Sequence, residues 1–215
     1  MKKSYDYILF DWDGCLAKTL DLILDVYRSL FLEFGLHPSD KELISIWGDW
    51  AGPKQLGISE KDLPIWVKKY KEALNRQSPF VELYDGAKEM LQKLRDDGKH
   101  LALLSSSSKN SIERALDRHN VRNFFTTFLY AEDVIHHKPD PEIIEKALQL
   151  LHGTKEKAII IGDSKSDLGA ATNAKIDSLL YFPQHNSMFY SLDSLKALKP
   201  TYIVEDFKQV FDLIK

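Results

Sequence analysis

Tyr7-Ile8-Leu9-Phe10-Asp11-Trp12-Asp13-Gly14 decides how this chain of 215 residues folds. Four apolar β-formers run without a break and stop at two aspartates and a glycine. Apolar residues at every position, rather than at alternate ones, mark a strand buried on both faces, as in a parallel sheet. The acidic stretch behind it reads as the turn at the carboxyl end of that strand. Similar runs recur at Leu101–Leu104, Ala158–Ile161 and Ser178–Tyr181, and shorter ones at Thr127–Tyr130 and Tyr202–Val204.

Helical patterns lie between them. Ala87, Met90, Leu91 and Leu94 repeat at helical spacing behind Asp85 as a cap, with Gly98 just past the end. Ile112, Ala115 and Leu116 repeat in the same way. Asp140-Pro141 reads as a cap with proline in the first turn, leading into Ile143, Ile144, Ala147 and Leu148. Strands that alternate with helices predict an α/β protein with a doubly wound parallel sheet.

Residues 17–79 break the alternation. Leu20, Ile23, Leu24, Tyr27, Leu30, Phe31 and Phe34 form one helical stripe ending at Gly35. Ser39 to Glu42 matches a capping box and Ser59 to Asp62 resembles one. This segment reads as an all-helical insertion, so the expected domains are 1–16 with 80–215 as the core and 17–79 as a separate helical unit.

Composition limits what such a protein does. Hydrophobic residues make up 44% and charged residues 28%, which suits a globular chain. A net charge of −3 offers no basic field for nucleic acid or an anionic membrane. The single cysteine, Cys15, forms neither an internal disulfide nor a cysteine zinc site. No apolar run approaches the ~18–20 residues that span a bilayer, and no signal peptide is visible after Met1-Lys2-Lys3. The expectation is a cytoplasmic protein without nucleic-acid or membrane partners.

Ligands of open α/β sheets gather at the carboxyl ends of the strands. Three strand ends supply Asp11 and Asp13, Ser105, and Asp163 with Asp167, while Lys138-Pro139 precedes the Asp140 helix. Each like-charged carboxylate pair costs ~4 kcal/mol at ~4 Å and an effective dielectric near 20. Such a cluster needs protons or a cation. Oxygen ligands without His or Cys favour a hard ion such as Mg²⁺. With a lysine and a hydroxyl beside it, the set fits phosphoryl transfer to a carboxylate nucleophile.

These residues, in this order, resemble the haloacid dehalogenase (HAD) superfamily of phosphohydrolases with a helical cap inserted after the first strand. Asp11-Trp12-Asp13-Gly14 looks like its first motif, Ser105 its second, Lys138-Pro139-Asp140-Pro141 its third and Gly162-Asp163-Ser164-Lys165-Ser166-Asp167 its fourth. The resemblance spans essentially the whole chain and implies a Rossmann-like core with residues 17–79 as the cap domain. It also implies Asp11 as nucleophile, forming an aspartyl phosphate, and Asp13 as the acid that protonates the leaving alcohol and then accepts a proton from water. Lys138 and Ser105 would hold phosphoryl oxygens, with backbone donors near Ser106. Asp11, the main-chain carbonyl of Asp13 and Asp163 would ligate Mg²⁺. Asp167 would complete the acidic shell through water or by orienting Lys138.

Dehalogenases of this type carry an aromatic residue where Asp13 stands, so Asp13 favours a phosphate ester. The implied activity is Mg²⁺-dependent hydrolysis of a small phosphorylated metabolite, by a monomer or weak homodimer. A phosphomutase, a phosphonate hydrolase using Lys54, Lys68, Lys69 or Lys71, and a non-catalytic phosphate-binding module are the alternatives. In capped members a loop such as Gly48–Lys54 selects the substrate, which makes Trp50 and Lys54 candidate contacts. Two positions depart from the family pattern: Cys15, expected to pack, and Ala174-Lys175, where Ala-Gly is usual.

Overall fold

The computed structural model describes residues 3–214; Met1 and Lys2, which begin the stretch weighed as a signal peptide, and Lys215 lie outside the described residues. Six strands form one sheet: β1 (Tyr7–Phe10), β2 (His100–Leu104), β3 (Thr127–Leu129), β4 (Ala158–Gly162), β5 (Asp177–Tyr181) and β6 (Tyr202–Val204). All pair in parallel, in the order β3-β2-β1-β4-β5-β6. Each expected apolar run is a strand. The chain builds outward from β1 to β3, then crosses back to place β4 on the other side of β1. That reversal opens a crevice between the ends of β1 and β4.

The unbroken apolar run of β1 has a direct cause in this topology. Ile8 and Phe10 enter one core layer and Leu9 the opposite one, so these three positions are closed to water and only Tyr7, at the strand's start, is half-buried. Before the sheet's first crossover, the chain forms α1 (Leu20–Glu33), α2 (Asp40–Ser45), α3 (Gly52–Gln55) and α4 (Leu63–Gln77). On the Ile8 side lie α5 (Ala87–Asp96), α6 (Lys109–His119) and, near the C-terminus, α10 (Phe207–Leu213). On the Leu9 side lie α7 (Glu142–Leu150) and α8 (Lys165–Ala174). A short α9 (Leu192–Lys196) packs beside β5.

Helices α1, α2 and α4 share their own apolar core, built from Leu24, Tyr27, Phe31, Leu43, Trp66 and Leu74. Trp66 is buried there against Tyr27, Phe31 and Tyr70. The chain leaves and re-enters the sheet layer through two antiparallel segments, with Lys18 N–H donating to Glu82 O and Tyr84 N–H to Leu16 O. A segment after β5 also reaches this core through Phe189, whose ring stacks on Trp47 at 5.4 Å.

Local signals held with two shifts. Ser39 and Glu42 form the expected capping box, and Gly98 takes its positive φ past α5. Asp85 is not the cap of α5: Gly86 occupies that position with φ 79°, and the Asp85 carboxylate accepts from Lys18 Nζ at 2.9 Å. The exposed lysine competes for the carboxylate, and the left-handed glycine turns the chain instead. Asp140 accepts from Glu142 N–H at 2.9 Å from one residue ahead of the cap position of α7, which Pro141 occupies. Cys15 is buried in the core, as expected. Among the described residues, no helix is long and apolar enough to cross a membrane.

Candidate active site

The crevice between β1 and β4 gathers the polar strand ends. Asp11 follows β1 and Asp163 follows β4, and both are buried, as are Asp167 and Lys138. Carboxylate oxygens of Asp11, Asp163 and Asp167 come within 4.8 Å of one another. Asp167 reaches them from the first turn of α8, where it stands at the third helical position behind Ser164. Its Oδ2 closes a capping box with Ser164, accepting from the hydroxyl at 2.6 Å and the N–H at 3.2 Å.

Lys138 neutralises part of this charge. Its Nζ donates to Asp11 Oδ1 and Asp167 Oδ1, both at 2.6 Å, and to Leu104 O at 3.1 Å. Of the two roles open to Asp167, this geometry matches the orienting of Lys138. Burial opposes the lysine charge, but the two carboxylates outweigh it and raise the Lys138 pKa. Three carboxylates against one ammonium still leave an excess of negative charge in a buried space. Burial and then Asp167 push Asp11 up to about 8, even against Lys138. Burial, then Asp167 and Asp11, likewise push Asp163 well above the usual carboxylate range.

Among the described residues, neither oxygen of Asp163, both of them buried, has a hydrogen-bond partner. A buried polar atom left unpaired costs on the order of 1–3 kcal/mol, more when charged, so the pair of them points to a missing partner. The donor set is oxygen only and fits a hard divalent ion such as Mg²⁺, which Asp163 and Asp11 would hold. Close approach is built into the backbone. A Cβ on Gly162 would fall inside the Asp167 carboxyl, and one on Gly14 would fall inside that of Asp163.

Asp13 stands apart from the three-carboxylate group and is half-buried. Its side chain turns to the end of β2, where Oδ2 accepts from Ser107 Oγ at 2.6 Å and from Ser105 Oγ at 3.4 Å. Burial raises the Asp13 pKa, while the Ser107 hydrogen bond is the largest influence pulling it down. Side-chain ligation by Asp13 is therefore not part of this arrangement, and only its main-chain carbonyl remains for a metal.

Ser105 is fully buried and its Oγ accepts from Ser107 N–H at 2.9 Å. Ser106 is exposed, and the residue that meets Asp13 is Ser107, which composition alone did not separate from its neighbours. A period of two carried past Leu104 puts Ser105 and Ser107 on one side, and that is the signal that could have found it. The contacts of Trp50 and Lys54 run within the helical cluster. Trp50 lies edge-on to Tyr70 at 6.0 Å under Lys71 Nζ, and Lys54 pairs with Glu60 at 3.1 Å. The second expected departure, Lys175, keeps the turn usual for glycine, with φ 60°.

A doubly wound sheet with a buried acidic centre at its switch point is the build of an α/β enzyme. The family model described as haloacid dehalogenase-like hydrolase matches residues 8–181, and the chain belongs to that family. The pyrophosphatase PpaX of Oceanobacillus iheyensis is 26% identical over 211 residues, covering 96% of this chain and 95% of that protein. A solved structure from Lactobacillus plantarum, provisionally described as a phosphoglycolate phosphatase, superimposes with a TM-score of 0.86 at 22% identity, covering 98% of this chain and all of that one. One from Thermotoga maritima, provisionally described as a β-phosphoglucomutase, gives 0.75 at 24% identity, covering 96% and 98%. At such identities these two structures speak for the fold alone.

Proposed function

We propose that this hydrolase is a Mg²⁺-dependent phosphatase that works through an aspartyl phosphate on Asp11. The observation that carries the reading is the division of labour between the two aspartates of one turn. Asp11 sits with Lys138 and the acidic group, whereas Asp13 faces the hydroxyls of Ser107 and Ser105. Two carboxyls in different environments can take the nucleophile and acid roles separately.

In the first step an oxygen of Asp11 forms a bond to phosphorus and the bond to the leaving alcohol breaks. Asp13 enters as the acid and gives its proton to the departing alkoxide, a role that the burial raising its pKa favours. In the second, water attacks the same phosphorus, Asp13 takes its proton, and the bond to Asp11 breaks to release phosphate. In this reading Lys138 and Ser105 hold phosphoryl oxygens as charge builds on them. A divalent ion at Asp11 and Asp163 would supply positive charge against the nucleophile and the phosphoryl group. The resting pKa of Asp11, about 8 in the metal-free chain, would fall with that charge beside it, giving the ionised nucleophile.

The substrate class is a small phosphorylated metabolite. Helices α1 to α4 act as the cap over the crevice, residues 17–79 as its domain, with Trp50 and Lys54 among the candidate selecting residues. The relatives named pyrophosphatase put pyrophosphate beside phosphate esters among the compounds to test. The protein is read as cytoplasmic, monomeric or weakly dimeric. A phosphate-release screen over esters and pyrophosphate, with Mg²⁺ or chelator, on wild type and Asp11→Asn is the test. Release only by wild type with metal supports the reading, and equal release by Asp11→Asn defeats it.

A further inference from the structure

The segment between β5 and α9 has no part in the four motifs, yet it buries one polar side chain completely. Asn186 is 0% exposed. Its Nδ2 donates to Gly14 O at 3.2 Å and its Oδ1 accepts from Tyr84 Oη at 2.9 Å. The amide orientation follows from chemistry, because a main-chain carbonyl only accepts and so must face the NH₂ group. The surrounding loop wraps this residue: Asn186 N–H donates to Pro183 O, and its carbonyl accepts from Phe189 N–H and Tyr190 N–H.

Gly14 is the pivot of the acidic turn. It sits at φ 75°, and its N–H is shared by Ala17 O at 3.0 Å and Thr19 Oγ1 at 3.1 Å. The Gly14 carbonyl is the remaining handle, and Asn186 holds it from a different part of the sheet. With both ends of Gly14 fixed, the preceding Asp13 is fixed in direction, and Gly14 keeps its place against Asp163. The same segment reaches the helical cluster, since Phe189 stacks on Trp47 and His185 Nε2 lies 2.6 Å from Asp21 Oδ2 of α1.

We infer that Asn186 is a positioning residue that sets the Asp13–Gly14 turn for catalysis, and that it ties this turn to the docking of the helical cluster. The inference rests on the proposed phosphatase reading. An apolar residue of the same size would fill the space at lower desolvation cost, so the amide is explained by the carbonyl it grips. A shift of the turn by a fraction of an ångström acts on proton transfer and attack, not on ground-state binding.

The test compares Asn186→Leu, Tyr84→Phe and, as a stability control, Tyr5→Phe, with kcat and KM taken well below each melting temperature. Tyr5 is buried and donates to Asp177 at the opposite end of the sheet. The substrate is whichever phosphate compound the wild type hydrolyses in an Asp11-dependent way. Asn186→Leu is expected to lower kcat about tenfold or more while KM stays within about twofold. Tyr84→Phe, which only releases the Asn186 amide, is expected to lower kcat about threefold, and Tyr5→Phe to lower the melting temperature alone. If Asn186→Leu does not fold, Tyr84→Phe decides. Wild-type kcat in the folded variants, with loss of melting temperature only, overturns the role of Asn186. Absence of Asp11-dependent release from wild type overturns the phosphatase reading and this inference with it.

Discussion

Asp163 lies against Gly14 so closely that its carboxylate fills the space a Cβ there would need, and among the described residues neither of its oxygens meets a hydrogen-bond donor. The main chain of the first acidic turn and the side chain from β4 thus share one small volume. Within it, the Asp163 carboxyl is the group most in need of a positive partner.

Asp163→Asn therefore separates structure from metal binding. Without metal, the substitution removes a buried like-charge contact and should raise stability by ~1–3 kcal/mol. It should also abolish the rise in melting temperature that Mg²⁺ gives the wild type. Thermal melts of both proteins, with Mg²⁺ and with chelator, check both halves. A variant that still responds fully to Mg²⁺ would contradict the ligand role of Asp163.

The raised pKa of Asp11 fixes a pH dependence. Its ordinary value is near 3.9; in the folded, metal-free chain it is pushed up to about 8 by burial and Asp167. Between those values the folded state holds a proton that the unfolded state has lost. This contribution to stability is complete below about 4 and disappears as pH rises through about 8. Melting temperatures in chelator should fall across that interval, and saturating Mg²⁺ should reduce the fall. A metal-free melting temperature that climbs from pH 5 to 9 would count against the charge balance described here.

Ser107→Ala addresses the acid. Its hydroxyl is 2.6 Å from Asp13 and is the main influence lowering that carboxyl's pKa. Removing it should shift the pH–rate limb belonging to Asp13 upward, with kcat changed by about tenfold or less. The pH profile of kcat for wild type and variant is the measurement, and an unmoved limb would detach Ser107 from the acid.

Lys175 departs from the family pattern without departing from its geometry. It keeps φ 60° at the end of α8, a conformation that costs a non-glycine residue ~1 kcal/mol. Lys175→Gly should raise the melting temperature by ~2–4 °C with kcat unchanged, read by calorimetry and a standard assay.

What the sequence disclosed follows from which signals are local. The central strands were legible because burial on both faces leaves no room for polar residues, as in Ile159, Ile160 and Ile161, while edge strand β6, with Ile203 exposed, showed only as a short apolar run. Asp11, Asp163 and Lys138 were legible because each stands in a short, recognisable stretch. Ser107 was not, since the four serines from Ser105 to Ser108 look alike and only the alternation past Leu104 sets it with Ser105 on the side that meets Asp13. Asn186 carried no signal, because its role exists only through a hydrogen bond spanning 172 positions. Short α3 and α9 owe their form to packing rather than to periodicity.

The most direct test of the central claim is to quench the reaction in acid during steady-state turnover and map any phosphoryl group by peptide mass spectrometry. The account expects the adduct on Asp11, labile to hydroxylamine as an acyl phosphate is, and absent in Asp11→Asn. A phosphoryl group on another residue, or an active enzyme whose Asp11 never carries one, would contradict it.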